Sequence, residues 1–263
     1  METPRMSAVT TPDVNYWYDK RCAKAFSDQG HIGPYRQLLA HTTEWLDPKP
    51  GENWVDLGCG IGRLTRALWD KCEGRLGSIV SLDCAAANVD AIARIRESYD
   101  PPVSDYRIRF VHADFSNGLG TFESNTIDGV VSGLAIQYAQ HWSEEKHCWT
   151  TDAYDQLLRD VRRILRPSGR FVFSVNVPNP SWLKVGLLSV PSAFTARKPL
   201  RFLKNSLRMM RYGRWLKQES AKGRFHYLQA ETIGSKLVEA GFTGVEHRVS
   251  FTGQAFIFRA RKS

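Results

Sequence analysis

The feature that most constrains the fold is a short apolar strand that runs into closely spaced glycines and then directly into a helical pattern. It reads Val-Asp-Leu-Gly-Cys-Gly-Ile-Gly-Arg from residue 55 to residue 63. Glycine lets the backbone turn tightly and approach a ligand, and a helix N-terminus offers free N–H groups to an anionic group. The segment therefore predicts a βαβ unit with a ligand site at the end of its first strand.

The alternation of strand and helix continues along the chain. Strands are predicted at 54–57, 78–82, 108–111, 127–131 and 171–175, with helices near 62–71, 86–99 and 154–165. A helix at 231–240 then precedes two strands at 245–249 and 254–261, which are close enough to pair antiparallel. This rhythm predicts an α/β fold with a doubly wound, seven-stranded, mostly parallel sheet.

Four segments follow from the same pattern. Residues 1–50 form an N-terminal helical arm, and residues 51–177 form the ligand-binding core. Residues 178–226 are predicted to form a basic, partly amphipathic insertion over the substrate site, and residues 227–263 to complete the core. No internal repeat is visible.

The insertion contains the whole charge imbalance of the chain. Between residues 181 and 226 there are eleven Lys and Arg residues against Glu219 alone, while the net charge of the chain is +9. From 197 to 211 an apolar stripe runs beside a cationic stripe that includes Arg201 and Arg208, which we predict to be substrate or lid residues. Such a helix can bind an anionic membrane surface, follow nucleic-acid phosphates or cover the substrate pocket. Nucleic acid is the least favoured, since no RNA-binding module is recognisable outside the core.

Membrane spans, secretion and metal sites are not expected. The longest uncharged stretch, residues 129–143, is too short and too polar to span a bilayer. The N-terminus lacks the apolar run of a secretory signal, so we expect a cytoplasmic protein, peripheral at the inner membrane face if the insertion binds lipid. The five cysteines form no C-x-x-C pair. His141, His147 and Cys148 are the nearest approach to a metal cluster and are better explained by an exposed polar loop.

The glycine spacing and two acidic residues restrict the class of ligand that this site can bind. A dinucleotide fingerprint starting at Gly58 would require glycine at 63, where the chain has Arg63. Asp83 ends the second strand, where a carboxylate commonly binds ribose hydroxyls. Asp114 follows the third strand and precedes Phe115, a combination suited to an adenine amine and face. Together they predict a nucleoside site that is not a nicotinamide site.

These residues resemble those of class I S-adenosylmethionine-dependent methyltransferases, in the type 11, ubiquinone/menaquinone-methylase-like group. The resemblance covers residues 54–177 and, more loosely, 231–261. It implies the Rossmann-like methyltransferase fold, S-adenosyl-L-methionine as cofactor and S-adenosyl-L-homocysteine as product. The loop would hold the methionine part, Asp83 the ribose, and Asp114 with Phe115 the adenine. Cys84 stands where the family often has a bulky apolar residue. The implied cofactor residues are Asp56, Gly58, Cys59, Gly60, Gly62, Asp83, Cys84, Asp114, Phe115 and Ser132.

The sequence indicates less clearly which residues bind the methyl acceptor or act on it. Methyl transfer from a sulfonium is an in-line displacement, so no catalytic motif has to exist. Tyr138 and His141, just past the fourth strand, are the candidates for a base, and Tyr16 and Tyr18 in the arm are candidates for a lid. No Asn-Pro-Pro-Tyr-like motif follows the fourth strand, which disfavours adenine in DNA as the acceptor.

The sequence thus predicts methyl transfer to a lipophilic or anionic small molecule, at a membrane surface if the insertion binds lipid. Two alternatives stay open at this stage: an RNA methyltransferase that uses the insertion as a phosphate track, and a non-catalytic scaffold that binds the cofactor.

Overall fold

The structure, a computed structural model, describes residues 16–18, 33–181 and 213–263. Arg201 and Arg208 lie outside these residues. The described strands are β1 (Asn53–Leu57), β2 (Ser78–Asp83), β3 (Ile108–His112), β4 (Ile127–Gly133), β5 (His141–Ser143), β6 (Cys148–Thr150), β7 (Leu165–Asn176), β8 (Phe242–Ser250) and β9 (Ala255–Lys262). The helices are α1 (Gly33–Trp45), α2 (Arg63–Lys71), α3 (Val89–Glu97), α4 (Asp152–Ile164) and α5 (Ala230–Glu239), and residues 213–221 are also helical.

Seven strands form one sheet in the order β3-β2-β1-β4-β7-β9-β8. Only β9 runs in the opposite direction to the other six strands, and it pairs antiparallel with β7 on one side and β8 on the other. The predicted seven-stranded, mostly parallel sheet is confirmed, and the predicted antiparallel pair forms its far edge. The strand order reverses between β1 and β4, and a crevice opens outside the carboxyl ends of strands at such a point.

Helices cover both faces of the sheet because successive strand residues point to opposite sides. Val55 and Leu57 pack with the apolar faces of α4 and α5, whereas Trp54 packs with α1, α2 and α3. Trp54 is fully buried, and a Cβ on Gly129 of the neighbouring strand would lie 2.5 Å from its ring, so the glycine is required by packing. Both cores meet at the sheet and hold the strand ends in fixed positions.

Two details differ from the predictions. The segment with His141, His147 and Cys148 contains a β5–β6 hairpin where a polar loop was expected, and Trp142 packs edge-on against Trp149 at 5.3 Å between ring centroids. Strand β7 begins at Leu165, six residues before the predicted start at Phe171. Three-residue strands carry too little periodicity to be predicted.

No helix in the described part of the chain is long and apolar enough to span a membrane. The same described ranges contain no group of three or more His, Cys, Asp or Glu side chains placed to hold a metal ion.

Candidate functional site

A cleft opens at the carboxyl ends of β1 and β4, with about 1210 Å³ of empty space, part of it open to solvent. It is formed by the glycine loop, the ends of β2, β4 and β7, the arm and the turn after β8. Its lining residues are Trp17, Tyr35, Asp56, Gly58, Cys59, Gly60, Ile61, Arg63, Leu64, Asp83, Cys84, Ala85, Asn88, Asp114, Phe115, Gly133, Leu134, Ala135, Tyr138, Asn176 and Phe251.

The three glycines of the loop are needed for different structural reasons. Gly58, Gly60 and Gly62 all have positive φ, at 68°, 51° and 78°. A Cβ on Gly58 would lie 2.3 Å from the Ala135 Cβ, and one on Gly62 would meet the Ile95 side chain at 2.4 Å. A Cβ on Gly60 would have no neighbour within 4 Å, so it would extend into open space. Gly62 does not line the cleft, whereas Gly58 and Gly60 do.

Asp83 ties the loop to the end of β2. Its Oδ2 accepts a hydrogen bond from the Gly60 N–H at 2.8 Å, and its Oδ1 accepts one from the Ala85 N–H at 2.8 Å. Burial raises the pKa of the carboxyl, while these backbone donors and the Asn88 side chain oppose the rise. A carboxylate has about four acceptor sites, so Asp83 keeps capacity to accept from a ribose hydroxyl.

Asp56 is a buried carboxyl with an unused oxygen. Its Oδ2 accepts from the Thr65 hydroxyl at 2.7 Å, and its Oδ1 has no hydrogen-bond partner among the described residues. Burial raises the pKa of Asp56 to about 7, and the nearby negative charge of Asp83 adds to the rise. A cation placed in the cleft would satisfy Oδ1 and relieve the repulsion between the two carboxyls.

The third acidic residue that lines the cleft is Asp114, which follows the end of β3. Asp114 Oδ1 accepts from the Ser116 N–H at 2.8 Å and so caps the short 3₁₀ helix Phe115–Asn117. Phe115 lines the cleft beside Gly58, to which its ring is close. Cys84 also lines the cleft, and burial raises the pKa of its thiol. A carboxylate, a ring and a thiol thus converge where the adenine was predicted.

Two neighbouring residues of the N-terminal arm contact residues of the cleft, one at Asp114 and the other at Tyr138. The Tyr18 hydroxyl donates to Asp114 Oδ2 at 3.3 Å, and burial together with the Asp114 charge raises the pKa of Tyr18 to about 12. The neighbouring Trp17 ring lines the cleft with its centroid 4.5 Å from that of Tyr138. Tyr16 belongs to the same 3₁₀ turn, Tyr16–Tyr18.

Tyr138 lies in the cleft within an aromatic cluster. Its hydroxyl is 3.2 Å from the hydroxyl of Tyr227, and its ring packs edge-on against Phe225 at 5.0 Å. Asn176, at the end of β7, also lines the cleft, and its side chain lies near Tyr227 and lowers the pKa of the Tyr227 hydroxyl against the larger effect of burial. Sequence reasoning missed Asn176 and Tyr227. A polar residue at the end of an apolar strand was the available signal for Asn176, as it was for Asp83.

Two predicted site residues lie elsewhere. His141 is exposed on the β5–β6 hairpin, where its Nδ1 is 2.8 Å from the Thr150 hydroxyl, and it does not line the cleft. Ser132 is fully buried and its hydroxyl donates to the Leu57 carbonyl at 2.7 Å, which joins β4 to β1. Leu134 and Ala135, just beyond Ser132, line the cleft in its place.

The residues present fit S-adenosylmethionine. The unpartnered Asp56 Oδ1 suits a positive charge of its methionine part, the space beside Gly60 admits the close approach of a ligand, and Asp83 can accept from a ribose. These features belong to the cleft itself and do not depend on any likeness to other proteins.

The comparisons with known proteins agree. The family model described as a methyltransferase domain matches residues 55–173. A carboxy-S-adenosyl-L-methionine synthase of Shewanella amazonensis is 29% identical over 164 residues, which are 61% of this chain and 60% of that protein. A 2-phytyl-1,4-naphtoquinone methyltransferase of Thermosynechococcus vestitus is 31% identical over 145 residues, 55% of this chain and 55% of that protein. The matches thus span less than two thirds of the length of these relatives.

Among solved structures, a chain from the complex between the Haloferax volcanii Trm112 methyltransferase activator and a methyltransferase has a TM-score of 0.60 at 17% identity. The likeness covers 94% of this chain and 96% of that chain, and at this identity it concerns the fold. The family model thus identifies residues 55–173 as a methyltransferase domain, which agrees with the predicted S-adenosylmethionine-dependent family and its cofactor.

Proposed function

We propose that the protein transfers the methyl group of S-adenosylmethionine to a small, largely apolar acceptor. The observation that supports this is that one cleft contains both the residues that fit the cofactor and a group of aromatic side chains, which we call the aromatic wall. Trp17, Tyr35, Tyr138 and Phe251 line the cleft together with Asp56 and the glycine loop. An apolar pocket with a few polar groups suits a small molecule better than an extended polymer.

The chain's own residues supply orientation and exclusion of water. When bound, S-adenosylmethionine supplies an electrophilic methyl group on a sulfonium. Asp56, Asp83 and the loop would hold the cofactor, and the aromatic wall with Trp17 would hold the acceptor and keep water out of the line of attack. Positioning of this kind can account for a large part of the rate of a displacement.

The acceptor class can be tested with methyl-labelled S-adenosylmethionine. A cell extract is divided into organic-soluble compounds, polar small molecules and RNA, and each is incubated with the protein. We expect the label in an organic-soluble compound, and we expect Asp83→Ala to abolish both cofactor binding and labelling. Label in RNA would contradict the proposal, and cofactor binding without label in any of the three would favour a non-catalytic scaffold.

Cofactor affinity should depend on pH through Asp56. Burial raises its pKa to about 7 from the ordinary value of 3.8, so below pH 7 the carboxyl of the free protein is largely protonated. A cationic ligand favours the ionised form, so affinity should fall by up to about tenfold for each pH unit below 7 and level off above it. Calorimetric titration with S-adenosylhomocysteine at pH 5.5, 6.5 and 7.5, in buffers of different ionisation heat, would also show proton release. Affinity independent of pH over this range would contradict the role of Asp56.

We also propose that the basic segment brings the protein to anionic lipid. Ten of the eleven cations between residues 181 and 226 and the amphipathic spacing from 197 to 211 support this, whereas Arg224 is buried and paired with Glu219. The protein should float with anionic but not neutral vesicles at low salt, and a variant with Arg201, Lys204, Arg208 and Arg211 changed to Glu should not. Equal flotation of that variant, or no flotation of the native protein, would leave the segment as a cover for the pocket.

A further inference from the structure

Asn176 is a buried polar side chain that the fold leaves half satisfied. It is 1% exposed, lines the cleft and ends β7. Its backbone N–H donates to Gln137 Oε1 at 2.7 Å and its side chain lies near Tyr227, whereas its Oδ1 has no partner among the described residues. A buried carbonyl without a donor lowers the stability of the fold, because the group has lost its hydrogen bonds to water. A ligand that donates a hydrogen bond would recover this cost.

The surroundings of Asn176 define what kind of donor fits. Tyr227 and Tyr138 form a hydroxyl pair beside it, and the Trp17 ring packs on Tyr138. Tyr138, Trp17 and Asn176 all line the cleft. Aromatic rings and an amide oxygen both attract positive charge, and neither removes a proton from a weak acid. Burial raises the pKa of Tyr138, so its phenol stays protonated at neutral pH.

We propose that Asn176 Oδ1 receives an N–H of the acceptor and that the acceptor is a neutral amine on an apolar body. This inference rests on the proposed methyl transfer and deepens it by naming the nucleophile. Asp56, Asp83 and Asp114 are the carboxylates that line the cleft, and each is placed at the cofactor side. An alcohol would need a base at the acceptor side. An amine needs none, because its lone pair is already available.

The chemistry balances without a co-reactant. The nitrogen lone pair forms the N–CH₃ bond as the S–CH₃ bond breaks, and the electron pair of that bond stays on sulfur. The products are a methylated ammonium ion, which retains the proton, and neutral S-adenosylhomocysteine. One positive charge moves from sulfur to nitrogen, and Asn176 Oδ1 and the aromatic rings stabilise the charge that develops on nitrogen.

The test uses phenethylamine and phenethyl alcohol as matched probes. Binding of each is measured by calorimetry on the protein saturated with S-adenosylhomocysteine, and methylation with S-adenosylmethionine is followed by mass spectrometry across pH. We expect the amine to bind about tenfold more tightly than the alcohol at neutral pH, because its ammonium form donates a charge-assisted hydrogen bond to Oδ1, which is stronger than one from a neutral hydroxyl. Its methylation should rise with pH as the neutral form increases, and the alcohol should not be methylated.

Two variants separate recognition from structure. Asn176→Leu should remove the preference for the amine while S-adenosylhomocysteine affinity stays unchanged. Asn176→Asp should bind the amine more tightly but methylate it more slowly, because a carboxylate holds the amine as an ammonium ion without a lone pair. That opposite change in affinity and rate is not expected of a merely structural side chain.

The outcomes are separable from those of the proposed function. A preference for the alcohol, no measurable amine binding, no methylation of the amine, or an unchanged preference in Asn176→Leu would each overturn the amine assignment. Failure of the native protein to bind S-adenosylhomocysteine would instead overturn the proposed methyl transfer itself.

Discussion

An Asp56→Asn variant should lose cofactor affinity by about 100- to 1000-fold, because it removes the charge from a buried site that a cation is expected to occupy. The same variant should not be less stable than the native protein. Since the pKa of Asp56 is raised in the folded state, the folded protein binds a proton more tightly than the unfolded chain between about pH 4 and pH 7. Stability therefore falls as pH rises through this window, and the variant escapes that loss.

We expect Asp56→Asn to increase the free energy of unfolding by about 1–3 kcal/mol at pH 8, because the asparagine oxygen can still accept from Thr65 while the buried charge is gone. Urea unfolding without ligand and calorimetry with S-adenosylhomocysteine measure the two effects. Asp160→Asn is the matched control. Asp160 is a buried carboxylate outside the cleft that accepts from the Leu119 N–H and from Arg163, so its change should lower stability and leave affinity intact. Reduced stability with unchanged affinity in Asp56→Asn would refute the assignment.

Alanine substitutions at Gly58 and Gly60 should separate folding from binding. Gly58→Ala should lower the free energy of unfolding by about 2–4 kcal/mol, because it combines a positive φ with a Cβ that overlaps Ala135. Gly60→Ala has a positive φ but open space, so it should cost only about 1 kcal/mol. Its methyl group enters the cleft, however, and cofactor affinity should fall at least about tenfold by steric exclusion.

Gly234→Ala in α5 is the control for both glycine substitutions. Gly234 has no neighbour within 4 Å of an added Cβ and no positive φ, so alanine there should raise stability by about 0.5–1 kcal/mol. Urea unfolding and titration with S-adenosylhomocysteine report the two quantities for all three variants. Equal losses of stability at Gly58 and Gly60 would mean that the glycine loop adapts more freely than its contacts indicate.

The cofactor half of the cleft was predictable because local pattern determines it. Parallel strands place their carboxyl ends at one edge, so Asp83 and Asp114 could be assigned to one site from strand ends, and Asp56 was implied by the resemblance that the glycine loop carries. The acceptor half was not predictable in the same way. Tyr227 and Phe251 reach the cleft region from the chain beyond the basic insertion, and only long-range packing brings them near Tyr138 and Tyr35.

The residues near the acceptor were predicted less well because their positions depend on contacts that the local sequence pattern does not report. His141 was considered because it follows the fourth strand closely, but the hairpin it belongs to directs it to solvent. The hairpin depends on the cross-strand contact of Trp142 with Trp149, which sequence periodicity does not report. Asn176 stands at the end of an apolar strand, as Asp83 does, but the sequence does not show which side chains of the distant chain lie beside it.

The place of β9 in the sheet determines how much of the sheet can fold while the chain is still being synthesised. β9 is the last described strand to leave the ribosome, yet it lies inside the sheet, pairing Ala260 with Phe171 on one side and Phe258 with His247 on the other. Until residues 255–262 emerge, β7 presents an unpaired edge of backbone N–H and C=O groups to its surroundings or to chaperones. Vectorial folding can therefore assemble the cofactor strands early, but the sheet closes only after translation has passed its final strand.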